Sequence, residues 1–130
     1  MVVSYERVPV ISDHRGLVLE LLAAEDFASQ RNAHMVISSA DVVRGNHYHA
    51  KGHETITILG PALVRFRKNE RIEEITVPHK EAWRFVFPPG VSHAIKNLSA
   101  EPNILVAFNT EEHDPVNPDT FMDMLIEASS

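Results

Sequence analysis

The sequence predicts an all-β fold, a small β-barrel, from the pattern of its short apolar segments. Several segments of the chain are rich in Val, Ile, Phe and Thr, and turn-forming residues separate them. No helical periodicity connects these segments, and strands at this spacing are typical of a sandwich or a barrel. The length of 130 residues suits one domain with its own core, so we expect residues 1–130 to form a single domain.

The predicted elements follow the chain in order. Strands are expected at residues 33–38, 54–59, 61–67, 72–77, 83–87 and 103–108. Proline, glycine and asparagine mark the turns between them, as at Gly60-Pro61 and at residues 88–90. Residues 23–30 could form a short turn of helix, and residues 119–128 have apolar side chains at helical spacing, so we expect both to be short peripheral helices.

The composition excludes several classes of protein. The 12 Lys and Arg against 18 Asp and Glu give a net charge of −6, which argues against nucleic-acid binding. No apolar run is long enough to cross a membrane, and the first residues lack the pattern of a signal peptide, so we expect a cytoplasmic protein. The absence of cysteine excludes a disulfide framework, a thiolate zinc site and a cysteine nucleophile. The eight histidines are the unusual feature.

The first group of histidines lies on two consecutive strands. His47 and His49 flank a tyrosine, and alternation along a strand places both imidazoles on one face. Glu54 opens the next strand and shares a face with Ile56, so it points to the core if that isoleucine does. His53 then points outward. The alternation of side chains along the strand therefore favours Glu54 over His53 as the partner of the two imidazoles in a metal site.

A fourth candidate ligand, His93, follows the proline- and glycine-containing turn at residues 88–90 and shares a face with Ile95. Three imidazoles and one carboxylate suit a divalent transition ion such as Zn, Mn, Fe, Ni or Co. The remaining histidines have no such support, and we expect solvated or capping roles for His14, His34, His79 and His113.

These residues resemble the two sequence motifs of the cupins. The first motif, His-x-His followed by Glu and then Gly, is matched by His47, His49, Glu54 and Gly60. The second, Pro-x-Gly-x-x-His-x-x-x-Asn, is matched by Pro88, Gly90, His93 and Asn97. The resemblance implies a double-stranded β-helix (jelly-roll barrel) with one bound divalent ion.

Three further segments resemble those of a particular group of cupins. They are Asp13-His14-Arg15-Gly16, Arg44-Gly45-Asn46-His47 and Asp114-Pro115-Val116-Asn117-Pro118-Asp119-Thr120. Together they are similar to the nucleotide-sugar epimerase and ketoisomerase cupins, and most similar to the zinc-binding cupin domain of capsular polysaccharide reductase–epimerases. That similarity implies zinc as the favoured metal and a sugar nucleotide as the ligand. The resemblance covers only the cupin domain of those proteins, so we expect the ketosugar to come from another polypeptide, or the chain to do something else.

Such a ligand needs cations for its diphosphate. Arg65 and Arg67 share one strand face, opposite Phe66, and would form a diphosphate clamp if that face looks into the barrel. A solvated outer face is the alternative, because barrel strands normally turn phenylalanine inward. Arg44 and Arg15 are further candidates that the resemblance supplies.

Epimerisation next to a ketone also needs a base that removes an acidic proton. Lys51 and His53 are candidates because they lie between the two metal-bearing strands, although simple surface exposure is the alternative for each.

The sequence is compatible with three functions. The first is a metal-dependent epimerase or isomerase that acts on a nucleotide-linked ketosugar in surface polysaccharide biosynthesis. The second is a non-enzymatic module that binds a carbohydrate or another small molecule, and the third is an Fe(II) cupin dioxygenase. For each of them we expect a homodimer to which the N-terminal strand, around residues 2–11, contributes an edge.

Overall fold

The computed structural model of the protein describes residues 2–127 and consists almost entirely of strands. The first strands of the chain are β1 (Ser4–Val8), β2 (Ile11–Asp13), β3 (Gly16–Val18) and β4 (Asn32–Ser38). The central ones are β5 (Val43–His49), β6 (Glu54–Leu59), β7 (Ala62–Lys68) and β8 (Arg71–Val77). The last ones are β9 (Ala82–Phe87), β10 (His93–Asn97), β11 (Asn103–Asn109) and β12 (Thr120–Met122). A six-residue 3₁₀ helix spans Ala24–Ser29.

Two antiparallel five-stranded sheets form the body of the protein. The first sheet has the order β1-β9-β6-β11-β4 and the second the order β12-β5-β10-β7-β8, while β2 and β3 pair as a separate hairpin. The inner faces of the two sheets meet in a core that includes Val64, Phe66, Phe85 and Phe87, all with at most 1 % of their surface exposed. The all-β prediction is confirmed, and each of the six predicted strands is present to within a residue or two at its ends.

The prediction of a helix at residues 119–128 is wrong for the residues that the structure describes; Ala128 lies outside them. Residues 120–122 form β12, which pairs with β5, and the chain then continues without a helix to residue 127. Asn46 explains this conformation, because its side-chain oxygen accepts hydrogen bonds from the backbone N–H groups of Leu125 and Ile126 at 2.9 and 3.0 Å. Partners from β5 thus replace the bonds that a helix would have made within itself.

The other helical prediction, at residues 23–30, corresponds to the 3₁₀ helix. This segment follows residues 19–22, which cover the outer face of the first sheet. There the hydroxyl of Thr57 donates a hydrogen bond to the carbonyl of Leu21 at 2.7 Å. Both faces of β6 are consequently buried, although strict alternation predicts one exposed face.

The N-terminal strand β1 lies at the edge of the first sheet, where it pairs only with β9 among the described residues. The homodimer through this edge stays a prediction. In the same part of the chain, residues 2–127, no helix has the length and apolar character needed to cross a membrane.

Candidate metal centre

Four side chains from three strands converge at one end of the barrel. His47 and His49 come from β5, Glu54 from the start of β6 and His93 from the start of β10. One ligand atom from each of them lies within 4.8 Å of the others. The ring centre of His47 is 5.0 Å from the ring centres of both His49 and His93. The structure therefore brings together all four residues that the sequence predicts as metal ligands.

A β-bulge in β5 sets the geometry of this cluster. His47 pairs with His93 and Gly45 pairs with Ala94, which leaves Asn46 as an extra residue in the strand. Gly45 and Asn46 both have left-handed backbone angles, with φ of +90° and +57°. The bulge turns the side chain of Asn46 to the outer face and brings Arg44, three residues before His47, to the inner one.

The second ring nitrogens of two histidines are held by backbone carbonyls. Nδ1 of His49 lies 3.1 Å from the carbonyl oxygen of Asp119, and Nδ1 of His93 lies 3.1 Å from that of Val91. A carbonyl oxygen only accepts hydrogen bonds, so each Nδ1 carries a proton. In a neutral ring the Nε2 atoms then present lone pairs. Both of these Nε2 atoms point to the carboxylate of Glu54.

The contacts of these two Nε2 atoms with Glu54 are short, and in neutral rings they join two acceptors and are not hydrogen bonds. Nε2 of His93 lies 3.0 Å from one carboxylate oxygen, and Nε2 of His49 lies 2.7 Å from the other. The second contact is poorly aligned, and Nε2 of His49 is a buried atom without a hydrogen-bond partner. Lone pairs and a carboxylate repel one another at these distances unless positive charge lies among them.

The pKa values of the cluster follow from burial and from these contacts. Burial, and secondarily the neighbouring ring of His93, lower the pKa of His47 to about 4, so its imidazole is neutral at pH 7. Burial by itself raises the pKa of Glu54, but the close rings of His49 and His93 outweigh it and hold that pKa well below its usual range. Burial lowers the pKa of His49, and the contacts with Glu54 and Asp119 reverse this and raise it.

The donor set fits a divalent transition ion. An ionised carboxylate and two Nε2 lone pairs converge on one small volume, and a neutral third imidazole stands beside them. A cation there would supply the positive charge that the cluster needs, with the ligand types that zinc and its neighbours prefer. Phe87 stacks on the ring of His93 with centres 4.3 Å apart, which fixes the orientation of that ring.

The cluster lies in a cavity of about 390 Å³ between the two sheets, which we call the cup. Apolar side chains of β4, β6, β10 and β11 line its interior, among them Val36, Ile56, Ile95, Leu105 and Ala107. Five carboxylates also line it: Glu54, Glu111, Glu112, Asp114 and Asp119. Arg44 is the one arginine or lysine in its described lining. The cup is therefore strongly acidic for a site expected to hold a diphosphate.

Arg44 reaches from β5 toward β4. Its Nε donates a hydrogen bond to the hydroxyl of Ser38 at 3.2 Å, and one terminal nitrogen lies 3.4 Å from the carbonyl oxygen of Ile37. The guanidinium is thus held at the side of the cup, between the two sheets.

Arg65 and Arg67 lie on the outer face of β7 and do not line the cup. Arg65 donates a hydrogen bond to the carbonyl of Leu125 at 2.8 Å and forms an ion pair with Glu74. Arg67 forms an ion pair with Asp123, whose pKa the guanidinium lowers. The predicted diphosphate clamp required Arg65 and Arg67 to face into the barrel. Both arginines face outward instead, because Val64 and Phe66 occupy the inner face of β7 and the C-terminal segment covers the arginines.

Three other candidates also lie away from the cup. Arg15 sits in the exposed turn between β2 and β3, where its guanidinium binds the carboxylate of Asp13. Lys51 and His53 belong to the turn between β5 and β6, are exposed, and are not among the described residues that line the cavity. The structure therefore offers neither of the expected bases at the site.

Two histidines for which we expected only solvated or capping roles line the cup. His34 lies on the inner face of β4, and His113 lies in the loop between β11 and β12. The alternation of β4 groups His34 with Val36, which was a usable signal for an inward side chain. No such periodicity exists around His113, so the sequence carried no signal for it.

Asp119 is a further residue whose role was not evident in the sequence. Its carboxylate accepts hydrogen bonds from the backbone N–H groups of Ala50, Lys51 and Gly52 at 3.0–3.2 Å. Its own carbonyl accepts the bond from His49 described above. Asp119 thus fixes both the turn after β5 and the ring of a candidate ligand.

Known proteins of polysaccharide biosynthesis resemble this chain in sequence and in fold. The profile of the polysaccharide biosynthesis C-terminal domain matches residues 11–121. The UDP-2-acetamido-2,6-beta-L-arabino-hexul-4-ose reductase of Pseudomonas aeruginosa is 32% identical over 123 residues, which are 91% of this chain and 32% of that protein. The capsular polysaccharide assembling protein CapF of Staphylococcus aureus has 26% identity and a TM-score of 0.67 over 91% of this chain and 33% of its own. The chain therefore spans about a third of the length of these two relatives.

A more distant structure supports the fold alone. ChmJ, a 3'-monoepimerase from Streptomyces bikiniensis solved with dTDP-quinovose, has a TM-score of 0.74 at 17% identity and covers 92% of this chain and 68% of its own. The two five-stranded sheets are those that the cupin resemblance predicted. With a profile match over residues 11–121, this chain belongs to the polysaccharide biosynthesis C-terminal domain family and has the cupin fold.

Proposed function

We propose that the protein is a metal-dependent epimerase or isomerase that acts on a nucleotide-linked ketosugar in surface polysaccharide biosynthesis. The observation that carries this proposal is the convergence of His47, His49, Glu54 and His93 within an open cup. These residues would hold one divalent ion, with zinc favoured. When bound, such an ion polarises a sugar carbonyl and makes the hydrogen on the adjacent carbon more acidic.

The remaining groups of the cup would bind and orient the sugar. The amides of Asn32 and Asn109 line the cavity beside Glu54 and offer N–H donors for hydroxyl groups, while their oxygens accept bonds from His34 and from the backbone N–H of Glu111. The apolar wall formed by β6, β10 and β11 excludes water from the far side of the sugar ring. Family membership supports the substrate class, because the named relatives are a reductase of a UDP-linked hexulose and a capsule assembly protein.

A direct test of the proposal is deuterium exchange at the sugar. The zinc-loaded protein is incubated in heavy water with dTDP-4-keto-6-deoxyglucose and, separately, with a UDP-linked 4-keto-6-deoxy-N-acetylhexosamine. We expect deuterium to enter a carbon adjacent to the ketone, as measured by NMR and mass spectrometry, and to do so faster than in metal-free protein. Absence of exchange with both substrates at full metal loading would reject the proposed function.

Arg44 is the group in the cup best placed to meet a diphosphate. We expect Arg44→Gln to weaken binding of UDP and dTDP by about tenfold or more, because a hydrogen bond to a charged group contributes about 1.5–3 kcal/mol. Isothermal titration at two salt concentrations measures the effect, and the loss should be smaller at high salt. Arg71→Gln is the matched control, since it removes the same charge from an exposed position on β8. Equal affinities of the two variants would remove Arg44 from the site.

The acidity of the cup favours one alternative. Five carboxylates against one arginine suit an uncharged carbohydrate better than a diphosphate, so a non-enzymatic carbohydrate-binding module is the second candidate. In that case uncharged monosaccharides should bind the zinc-loaded protein as tightly as nucleotide sugars do. Under the main proposal the nucleotide sugars should bind more tightly, with a difference that Arg44→Gln reduces.

A further inference from the structure

The cup contains few groups that could accept a proton from a sugar carbon. Among the described residues that line it, the candidate ligands are committed to the cluster and Asp119 is engaged by three backbone N–H groups. The acceptors that remain on the loop between β11 and β12 are three carboxylates and the ring of His113, all exposed. His34 differs from these because it is held on a strand, and a strand positions a side chain more accurately than a loop does.

The register of the first sheet defines the position of His34. Glu54, Asn109 and Asn32 are directly opposite one another on three neighbouring strands, and they form one row of the inner face. His34 lies in the next row, opposite Ala107. Ala107 carries only a methyl group, and it lines the cavity together with His34. His34 therefore faces the volume next to Glu54 from β4, a strand that lies about 10 Å, or two strand spacings, from β6.

A neighbouring amide sets the tautomer of His34. Its Nδ1 lies 3.0 Å from the side-chain oxygen of Asn32, two residues earlier on the same face. An amide oxygen accepts hydrogen bonds, so Nδ1 carries the proton and Nε2 keeps its lone pair. A neutral imidazole with one ring nitrogen fixed by an acceptor and the other free is the arrangement that general base catalysis uses.

We propose that His34 is the general base of the reaction, an inference that rests on the proposed function. Nε2 takes the proton from the carbon adjacent to the sugar ketone and forms an N–H bond. The electron pair of the broken C–H bond moves into a carbon–carbon double bond, and the carbonyl π pair moves onto oxygen to give an enolate. Delivery of a proton from water to the opposite face completes epimerisation, and His34 returns its proton to solvent. Nothing is oxidised or reduced.

The test compares His34→Gln with wild type in the deuterium exchange assay, with the same two ketosugar nucleotides. We expect the exchange rate to fall by about 100-fold or more, since a positioned base contributes about 10²- to 10⁴-fold. Zinc content and the affinity for UDP should stay within about twofold of wild type, and the Tm should be unchanged. The reason is that His34 is exposed and is not in the cluster of candidate ligands. His79→Gln, at an exposed turn outside the cup, is the matched control and should exchange like wild type.

A second variant separates catalysis from a structural role. His34→Gly removes the ring, and added imidazole should restore part of its exchange rate while leaving wild type and His79→Gln unchanged. Deuterium exchange at the wild-type rate in His34→Gln would overturn the assignment of His34 and leave the proposed function in place. No exchange in the zinc-loaded wild type would instead reject both.

Discussion

Glu54→Gln is expected to abolish stoichiometric binding of a divalent metal. Glutamine keeps the volume of the side chain, but it removes the one negative charge among the four candidate ligands. Replacing a residue that only supports a ligand costs about 10- to 100-fold in metal affinity, so loss of a charged ligand should cost more than 100-fold. Metal analysis of protein purified without chelators measures the effect, with about one ion per chain expected in wild type.

The matched control is Glu112→Gln, which removes the same charge from the same cup but from outside the ligand cluster. It should retain the metal. Chelation provides a second measurement, because an ion that binds the folded protein at 100 times its Kd stabilises it by about 2.7 kcal/mol. Chelator should therefore lower the Tm of wild type and of Glu112→Gln but leave that of Glu54→Gln unchanged. Full metal content in Glu54→Gln would contradict the assignment of the cluster as a metal site.

The second large effect is expected from Gly45→Ala. A Cβ at this position would lie 2.7 Å from the carbonyl oxygen of His93 and 3.2 Å from the Cα of Ala94, both of them backbone atoms of β10. In addition, the φ of +90° is a conformation that residues with a side chain rarely adopt. The backbone term alone costs about 1–3 kcal/mol, and displacement of β10 adds to it. The free energy of unfolding, measured in urea, should therefore fall by more than the backbone term alone.

Gly90→Ala provides a control that is matched in backbone angle. Gly90 has a φ of +82°, but a Cβ there would meet nothing within 4 Å. It should therefore lose only the backbone term, and the difference between the two variants isolates the contact with β10. Gly45→Ala should also bind zinc more weakly than Gly90→Ala, because the contacted residue is the candidate ligand His93. Equal losses of stability would show that the bulge tolerates a side chain.

Alternation along the strands was sufficient to predict that the side chains of the candidate metal cluster point inward. His47 and His49 share a face because they are two residues apart, and Glu54 shares one with Ile56 for the same reason. These relations are local, so they hold whatever the strands pair with. The same reasoning placed Phe66 inside, and it correctly gave the outer face of β7 as the alternative position for Arg65 and Arg67.

Other features depended on contacts between distant parts of the chain. The side chain of Asn46 binds the backbone of Leu125 and Ile126, about 80 residues away, and thereby replaces the predicted helix with an extended segment. No local pattern contains that information, because a short amphipathic segment has similar spacing in either conformation. The same segment brings Asp123 to Arg67, and so it decides what the arginine of the outer face binds.

The amino-acid sequence was enough to predict the strands, the core face and the four candidate ligands, since these follow from the two-residue period of a strand. Two features became evident only from the pairing of the strands. A bulge at Gly45 and Asn46 turns Arg44 into the cup, and His34 faces the same cavity from β4. The physical reason is that register and the covering of a face depend on the partner strand, which lies elsewhere in the chain. The chemistry proposed for the cup, a clustered metal site opposite a strand-borne histidine, requires both kinds of information.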